Sequence, residues 1–155
     1  MHKSYRVLFV CMANICRSPA AEGILKHLVQ NDPSLSIEVE SCGIGDWHVG
    51  AEPDFNIQEV SKVRGVTLNG IAKQFKAEYL DEFDYIMAAD IEVLKVLYQY
   101  SATTEQKSKI HLMTAFSSLY KDEEVPDPYC QGGGAFEHVY DIIEDACQGL
   151  LKHIK

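Results

Sequence analysis

The sequence predicts an α/β sandwich, with a parallel sheet of about four strands between layers of helix. Three observations predict it. Apolar strand patterns alternate with helical patterns along the chain. Val7-Leu8-Phe9-Val10 is a continuous apolar run, the pattern of a strand buried on both faces of a parallel sheet. The 155 residues are 46% hydrophobic, which suits one compact domain over 1–155. Folding at this length buries roughly two-thirds of the unfolded chain's surface.

Each element has its own signature. The first strand ends at Cys11 and a helix follows, with Ser18 as the expected cap and Pro19 suited to its first turn. Ala21, Ile24, Leu25, Leu28 and Val29 repeat at helical spacing until Asn31-Asp32-Pro33 stops them. Ile37 to Cys42 alternates and predicts a second strand, ended by Gly43 and Gly45. A helix is expected from about Pro53 to Arg64, a short one near Lys76 to Glu82, a strand at Tyr85 to Ala89 and a helix from Ile91 to Tyr100. Asp90, between the last two, suits an N-cap, a functional carboxylate being the alternative. Ile110 to Met113 is the fourth strand candidate. Thr114 to Gly134 is polar and breaker-rich, a long loop of the kind that carries function. Phe136, Val139, Tyr140, Ile143, Cys147, Leu150, Leu151 and Ile154 then form one apolar stripe on a closing helix. Ligands of such a fold bind beyond the carboxyl ends of the strands.

Composition removes several classes of function. The net charge of -9 argues against a general binder of nucleic acid or of anionic membranes. The charge is uneven: residues 1–30 hold Lys3, Arg6, Arg17 and Lys26 against Glu22 alone, so an anionic ligand belongs at that end. Five scattered cysteines do not resemble a secreted disulfide framework and fit a reducing compartment, the cytoplasm. Neither cysteines nor histidines fall at zinc-ligand spacing, so no metal is expected. No stretch approaches the ~20 apolar residues of a membrane helix. The basic start and the short apolar run imitate a signal peptide only loosely, since Asn14 and Arg17 interrupt the approach to a cleavage site.

The chemistry concentrates where the first strand ends. Cys11-Met12-Ala13-Asn14-Ile15-Cys16-Arg17-Ser18 leaves the carboxyl edge of the sheet and enters a helix N-terminus. Backbone N–H groups converge in such a turn, and the helix dipole adds roughly half a positive charge, so this is an anion site by position. A nucleotide phosphate loop is excluded, because no G-x-x-x-x-G-K-[ST] occurs. Cys11 and Arg17 form C-x5-R, whose chance expectation in this composition is about 0.1, so the spacing alone says little. Its context says more. A helix N-terminus and a nearby cation are the features that generate a nucleophilic thiolate, and the planar fork of Arg17 matches two oxygens of a tetrahedral oxyanion. Ser18 offers its hydroxyl to the sulfur. The bland alternative is a buried small cysteine beside a surface arginine.

A thiolate attacking a phosphoester needs an acid for the departing oxygen and a base for the water that follows, and one carboxylate can serve both. The candidate is Asp127 in Val125-Pro126-Asp127-Pro128-Tyr129, where the prolines bar helix and stiffen the approach. A plain turn aspartate is the alternative. Asp122, Glu123 and Glu124 suit a solvated charge run.

Val7 to Cys11, then Asn14-Ile15-Cys16-Arg17-Ser18-Pro19 and Ala21-Glu22, resemble the opening of low-molecular-weight protein tyrosine phosphatases, and Asp127-Pro128-Tyr129 resembles their acid loop. Ser41, Asp46-Trp47, Phe83-Asp84-Tyr85-Ile86 and Asp90 extend the likeness over nearly the whole chain. The resemblance implies a three-layer sandwich with a four-stranded parallel sheet, helices on both faces and a phosphate-binding loop after the first strand. It implies hydrolysis through a cysteinyl-phosphate, without metal or other cofactor, of phosphotyrosine in proteins or peptides. Inorganic phosphate and vanadate would be competitive ligands. Cys11, Arg17 and Asp127 would be nucleophile, clamp and general acid, and Met12 to Cys16 with Ser18 would surround the phosphate. Asn14 and Ser41 would brace the loop, and Trp47 and Tyr129 would wall the cleft, packing of Trp47 on the core being the alternative. Three positions depart from the family: Ala13 stands where glycine is usual, Gly70 where some members carry a supporting histidine, and Cys130 where many have a second tyrosine.

Two relatives of this fold are separable by residue. Thioredoxin-coupled arsenate reductases need two further cysteines, and none lies between Cys42 and Cys130. Protein-arginine phosphatases carry threonine where Ile15 stands, so Ile15 favours phosphotyrosine. A non-catalytic phosphoprotein-binding module would have no need of Asp127 opposite an intact nucleophile. A loop curled around an anion brings its ends together, so Cys16 is expected within disulfide reach of Cys11 as a redox switch. Packing under the loop is its alternative role, and the family, in which this pair can form a disulfide, favours the switch.

Overall fold

Strand β1 (Lys3–Cys11) lies inside the sheet because its side chains alternate between two cores: Val7, Phe9 and Cys11 face one, Leu8 and Val10 the other. The computed structural model describes residues 3–130 and 134–155. β1 pairs in parallel with β2 (Leu35–Gly43) on one side and β3 (Tyr85–Ala88) on the other, and β4 (Ile110–Leu112) lies beyond β3. The order is β2-β1-β3-β4. The chain first winds outward to β2 and then returns past β1 to β3, so the switch point falls between β1 and β3. A crevice opens there at the carboxyl ends, which is where Cys11 sits.

Helices α1 (Arg17–Val29), α2 (Phe55–Val63) and α6 (Ala135–Ile154) cover the face of Val7 and Phe9. The short α3 (Tyr79–Glu82) and α4 (Ile91–Tyr100) cover the opposite face through Leu80, Val93 and Leu97. This is the three-layer sandwich that the sequence predicts. On α6 the expected stripe is buried at Val139, Tyr140, Ile143, Cys147, Leu150 and Ile154, with Phe136 and Leu151 half-buried at its edge. Buried Ile142 and Ala146 widen it, because α6 packs on both α1 and α2.

The structure corrects several boundaries. Ser18 is not the cap of α1: the cap position is Cys16, without a side-chain bond, and Ser18 lies inside the first turn. α2 begins at Phe55 because Asp54 caps it, accepting from the Ile57 N–H at 3.1 Å. α3 starts three residues later than expected, at Tyr79, and Ala89 and Met113 lie just beyond their strands. Helix α5 (Thr104–Ser108) was not anticipated, although Thr103 and Gln106 form a capping box whose T-x-x-Q spacing stands in the sequence. In the expected long loop a single 3-10 turn forms at Pro128–Cys130, and the loop's residues 131–133 lie outside the described residues.

Gly149, inside α6, marks a close backbone approach. A Cβ there would lie 2.0 Å from the Phe116 carbonyl oxygen, which is backbone and cannot swing aside. Glycine to alanine in a helix interior ordinarily stabilises by about 1 kcal/mol. Here the overlap reverses the sign, and Gly149→Ala is expected to lower the urea midpoint by the equivalent of ~1–3 kcal/mol. A raised midpoint would refute the close approach.

Candidate active site

The loop after β1 is held by its carbonyls. Cys11 O accepts from Ile44 N–H at 3.0 Å, Met12 O from Gly45 at 2.9 Å, Ile15 O from Asp54 at 2.6 Å and Cys16 O from Ala20 at 3.1 Å. By contrast, among the described residues no protein group accepts from the N–H groups of Met12 to Arg17. Acceptors point outward and donors remain for a ligand, the arrangement of an anion nest. Gly43 makes the tight turn possible, since a Cβ on it would lie 2.8 Å from the carbonyl carbon of Ala13.

The strained residue is Asn14, at φ +58°. Ala13, where the family favours glycine, is not in the left-handed region, so its side chain brings no backbone strain. Asn14 is buried and tied at both ends of its amide: Nδ2 donates to Ser18 Oγ at 2.8 Å and to Ser41 Oγ at 2.9 Å, while Oδ1 accepts from Lys73 N–H at 2.9 Å. Ser41 in turn donates to Glu22 Oε1 at 2.6 Å, and a Cβ on Gly70 would lie 3.4 Å from that oxygen.

Cys11 Sγ lies 2.9 Å from Ser18 Oγ. Arg17 is 5% exposed, with Nη1 donating to Asp90 Oδ2 at 2.8 Å and to the Val125 carbonyl at 2.9 Å. Among the described residues no protein acceptor takes its Nε or Nη2, which leaves an edge of the fork for an oxyanion. Burial works against the guanidinium charge, but Cys11 and the Asp90 carboxylate outweigh it and hold the pKa above its ordinary value. Burial, reinforced by Cys11, pushes the Cys16 thiol up, so it stays protonated. The Cys42 thiol is likewise pushed up by burial.

Cys11, Cys16 and Arg17 line a cavity of about 440 Å³ with Ile15 in its wall and Asp127, Tyr129 and His48 around it. Asp127 is exposed, and its Oδ1 accepts from Tyr129 N–H at 3.0 Å. The Tyr129 ring stands edge-on to Phe136 at 5.6 Å, and burial and then the nearby Asp54 carboxylate push its hydroxyl's pKa up. Trp47 is 67% exposed and is not among the residues lining the cavity; its ring lies over Gly45. From that loop it is His48 that lines the cavity, a residue which sequence reasoning passed over although it adjoins Trp47. Asp90 was read chiefly as a cap, yet it both caps α4, accepting from Val93 N–H at 2.9 Å, and pairs with Arg17. Its position at the end of β3, beside β1, was the signal available. Among the described residues no group of three histidine, cysteine or carboxylate side chains is disposed to hold a metal, and no helix is long and apolar enough to cross a membrane.

Known proteins share this architecture. The low molecular weight protein-tyrosine-phosphatase YfkJ of Bacillus subtilis is 38% identical over 151 residues, 96% of this chain and 95% of that one. The crystal structure of a protein tyrosine phosphatase from Entamoeba histolytica, with Hepes in its active site, matches with a TM-score of 0.88 at 37% identity, covering 96% of this chain and 95% of that one. A Drosophila arginine phosphatase matches with a TM-score of 0.85 at 38% identity, covering 96% and 97%. The family model for low molecular weight phosphotyrosine protein phosphatase matches residues 6–155, and the chain belongs to that family.

Proposed function

We propose that the protein hydrolyses phosphotyrosine monoesters in proteins or peptides through a cysteinyl-phosphate, acting as a single catalytic domain over 1–155. The observation that carries this reading is the ring of N–H groups from Met12 to Arg17 without protein acceptors, closed by the free edge of Arg17 around Cys11. The Cys11 thiolate attacks phosphorus as the bond to the phenolic oxygen breaks. Asp127 gives that oxygen its proton, then takes one from the water that displaces Cys11 and releases phosphate. The amides and Arg17 act where charge gathers on the three equatorial oxygens, with no rearrangement at the moment of reaction. Nothing in these steps calls for a metal or cofactor, and phosphate or vanadate would compete for the same loop. Tyr129 and His48 are the ring walls, and Trp47 contributes only by moving inward from its place over Gly45. Among the described residues Cys11, Cys16, Cys42 and Cys147 are free thiols, which suits a reducing cytoplasm.

Overall likeness does not separate phosphotyrosine from phosphoarginine, since an arginine phosphatase is as similar as the tyrosine phosphatases. Ile15 in the cavity wall favours a flat aromatic ring. Phosphate release from phosphotyrosine, phosphoserine and phosphoarginine peptides, with and without chelator, tests the assignment. Phosphotyrosine is expected to be preferred and chelator to have no effect. In the same assay Cys11→Ser is expected to abolish turnover while vanadate still binds; retained turnover would refute the nucleophile.

Asp127→Ala is expected to slow a phenyl phosphate by roughly 10²- to 10⁴-fold. The loss should shrink for a nitrophenyl ester, whose leaving group needs no proton. Equal losses on both esters would remove Asp127 as the donor.

Peroxide is expected to convert Cys11 to its sulfenic acid, which Cys16 condenses with to a disulfide, releasing water. Thiol reductant should then restore activity in the wild type and far less in Cys16→Ser. Equal recovery of the two proteins, or a peptide map pairing Cys11 with Cys42, would rule out the switch.

A further inference from the structure

Three large apolar side chains near the cavity, Val49, Phe55 and Ile71, are each more than half exposed. We propose that they border a second subsite, which takes an apolar side chain of the substrate polypeptide three to five residues from the phosphorylated one, so that flanks both apolar and basic are preferred. The inference rests on the reading of the cavity as a phosphotyrosine site.

Two paths lead from the walls of the cavity to one hollow. From His48 the chain runs on to Val49 and Gly50. Gly50 N–H donates to Ala72 O at 2.8 Å and Ala72 N–H to Ala51 O at 2.9 Å, so residues 49–51 run beside 71–72. The second path starts at Ile15, whose carbonyl accepts from Asp54 N–H at 2.6 Å, and Pro53 precedes Asp54. Pro53, Leu68 and Ile71 then meet around a hollow of about 150 Å³. A cavity of that order holds a benzene-sized group. Gly70 sends no side chain into it, and the Gln58 amide is held on the Pro53 carbonyl at 2.6 Å. At about 3.8 Å per step along the chain and about 5 Å across the hydrogen bond, His48 and Ile71 are at most about 16 Å apart, a distance that up to five extended residues span.

Continuity and charge identify the occupant. Val49, Phe55 and Ile71 together expose on the order of 300 Å² of side chain, the scale at which apolar surface marks an interaction site. The hollow lies just beyond the walls of the cavity, so a polypeptide whose ring enters the cavity reaches it with one flank. Glu52 stands at its rim and Asp54 on the segment leading to it, and no lysine or arginine lines it among the described residues. Exposed charges are felt over roughly 8 Å, so a basic flanking residue gains there and an acidic one loses. The hollow is remote from the reacting atoms, so it binds ground state and transition state alike and acts on KM.

A leucine walk tests the proposal. The full chain is assayed on phosphotyrosine peptides of glycine, serine and lysine in which one leucine occupies each position from five before to five after the phosphotyrosine. Leucine three to five residues to one side is expected to raise kcat/KM about tenfold over the leucine-free peptide, through KM with kcat unchanged. Replacing the lysines by glutamate is expected to lower kcat/KM, and equal rates would remove the charge preference. Ile71→Ser and Phe55→Ser, both at exposed positions, are each expected to erase the leucine gain and to leave the leucine-free peptide and nitrophenyl phosphate within twofold of wild type. Absence of any leucine gain, a gain kept in either variant, or an equal loss on nitrophenyl phosphate would overturn the subsite. So would a dimer in light scattering that Ile71→Ser dissociates, since the patch would then belong to a second copy. Cleavage of phosphoarginine peptides in place of phosphotyrosine peptides would refute the substrate reading alone, and the same walk in that series would decide the subsite.

Discussion

Everything at the site depends on Asn14 being held in the left-handed region. For a residue with a Cβ that conformation costs on the order of 1 kcal/mol, and it reverses the direction of the chain midway through the loop. The three hydrogen bonds of the Asn14 amide offset it, each contributing about 1 kcal/mol where it stays buried. Relaxation of that one residue would turn neighbouring carbonyls inward and replace a ring of donors by acceptors. An anion would then be repelled by the loop that had held it. The strain is a condition of binding, and the residues that support it, Ser18, Ser41 and Lys73, come from three separate segments.

Arg17 joins the loop to the segments that carry Asp90 and Asp127. Its Nη1 reaches Asp90, which caps α4 at the end of β3, and the carbonyl of Val125, whose own N–H donates to Ala89 O at 2.8 Å. One guanidinium therefore registers the Cys11 loop against the segment that carries Asp127 two residues later. The prolines on either side of Asp127 keep that segment from folding into helix and preserve the span. A buried guanidinium is tolerated only while it is paired. Loss of Asp90 would leave it uncompensated and would cost more than the ion pair itself is worth.

Much of this was legible in the sequence, for local reasons. The loop stood out because a thiol, an arginine and a helix start fall together after a strand whose apolar run is buried on both faces. Asp127 stood out through its flanking prolines. The contacts that were not legible are long-range. Asp90 to Arg17, Glu22 to Ser41 and Asp54 to Tyr129 join residues 73, 19 and 75 positions apart, and nothing in their local pattern indicates a partner. Of the two roles expected of Ser18, the hydroxyl to sulfur holds and the cap does not: a serine at a helix start is ordinarily a cap, but here its hydroxyl faces sulfur from inside the first turn. Trp47 was expected in the cavity wall from the resemblance, while the turn at Gly45 carries its ring outward and presents His48.

The protein's net charge of -9 opposes the approach of any phosphate ester, yet the site is built for one. The two facts act at different ranges. Surface carboxylates act through solvent and are screened beyond about 8 Å at physiological salt. The loop amides and Arg17 act at hydrogen-bond distance in a partly desolvated cavity, where the same charges count several-fold more. Long-range repulsion slows encounter without weakening the bound state, so the net charge contributes nothing to choosing among phosphate esters. Selection passes to shape: the reach from cavity mouth to Cys11, and the walls that Ile15, Tyr129 and His48 offer to the group carrying the phosphate. An acidic surface around a strongly donating pocket thus discourages free anions in general and leaves the choice of substrate to the leaving group.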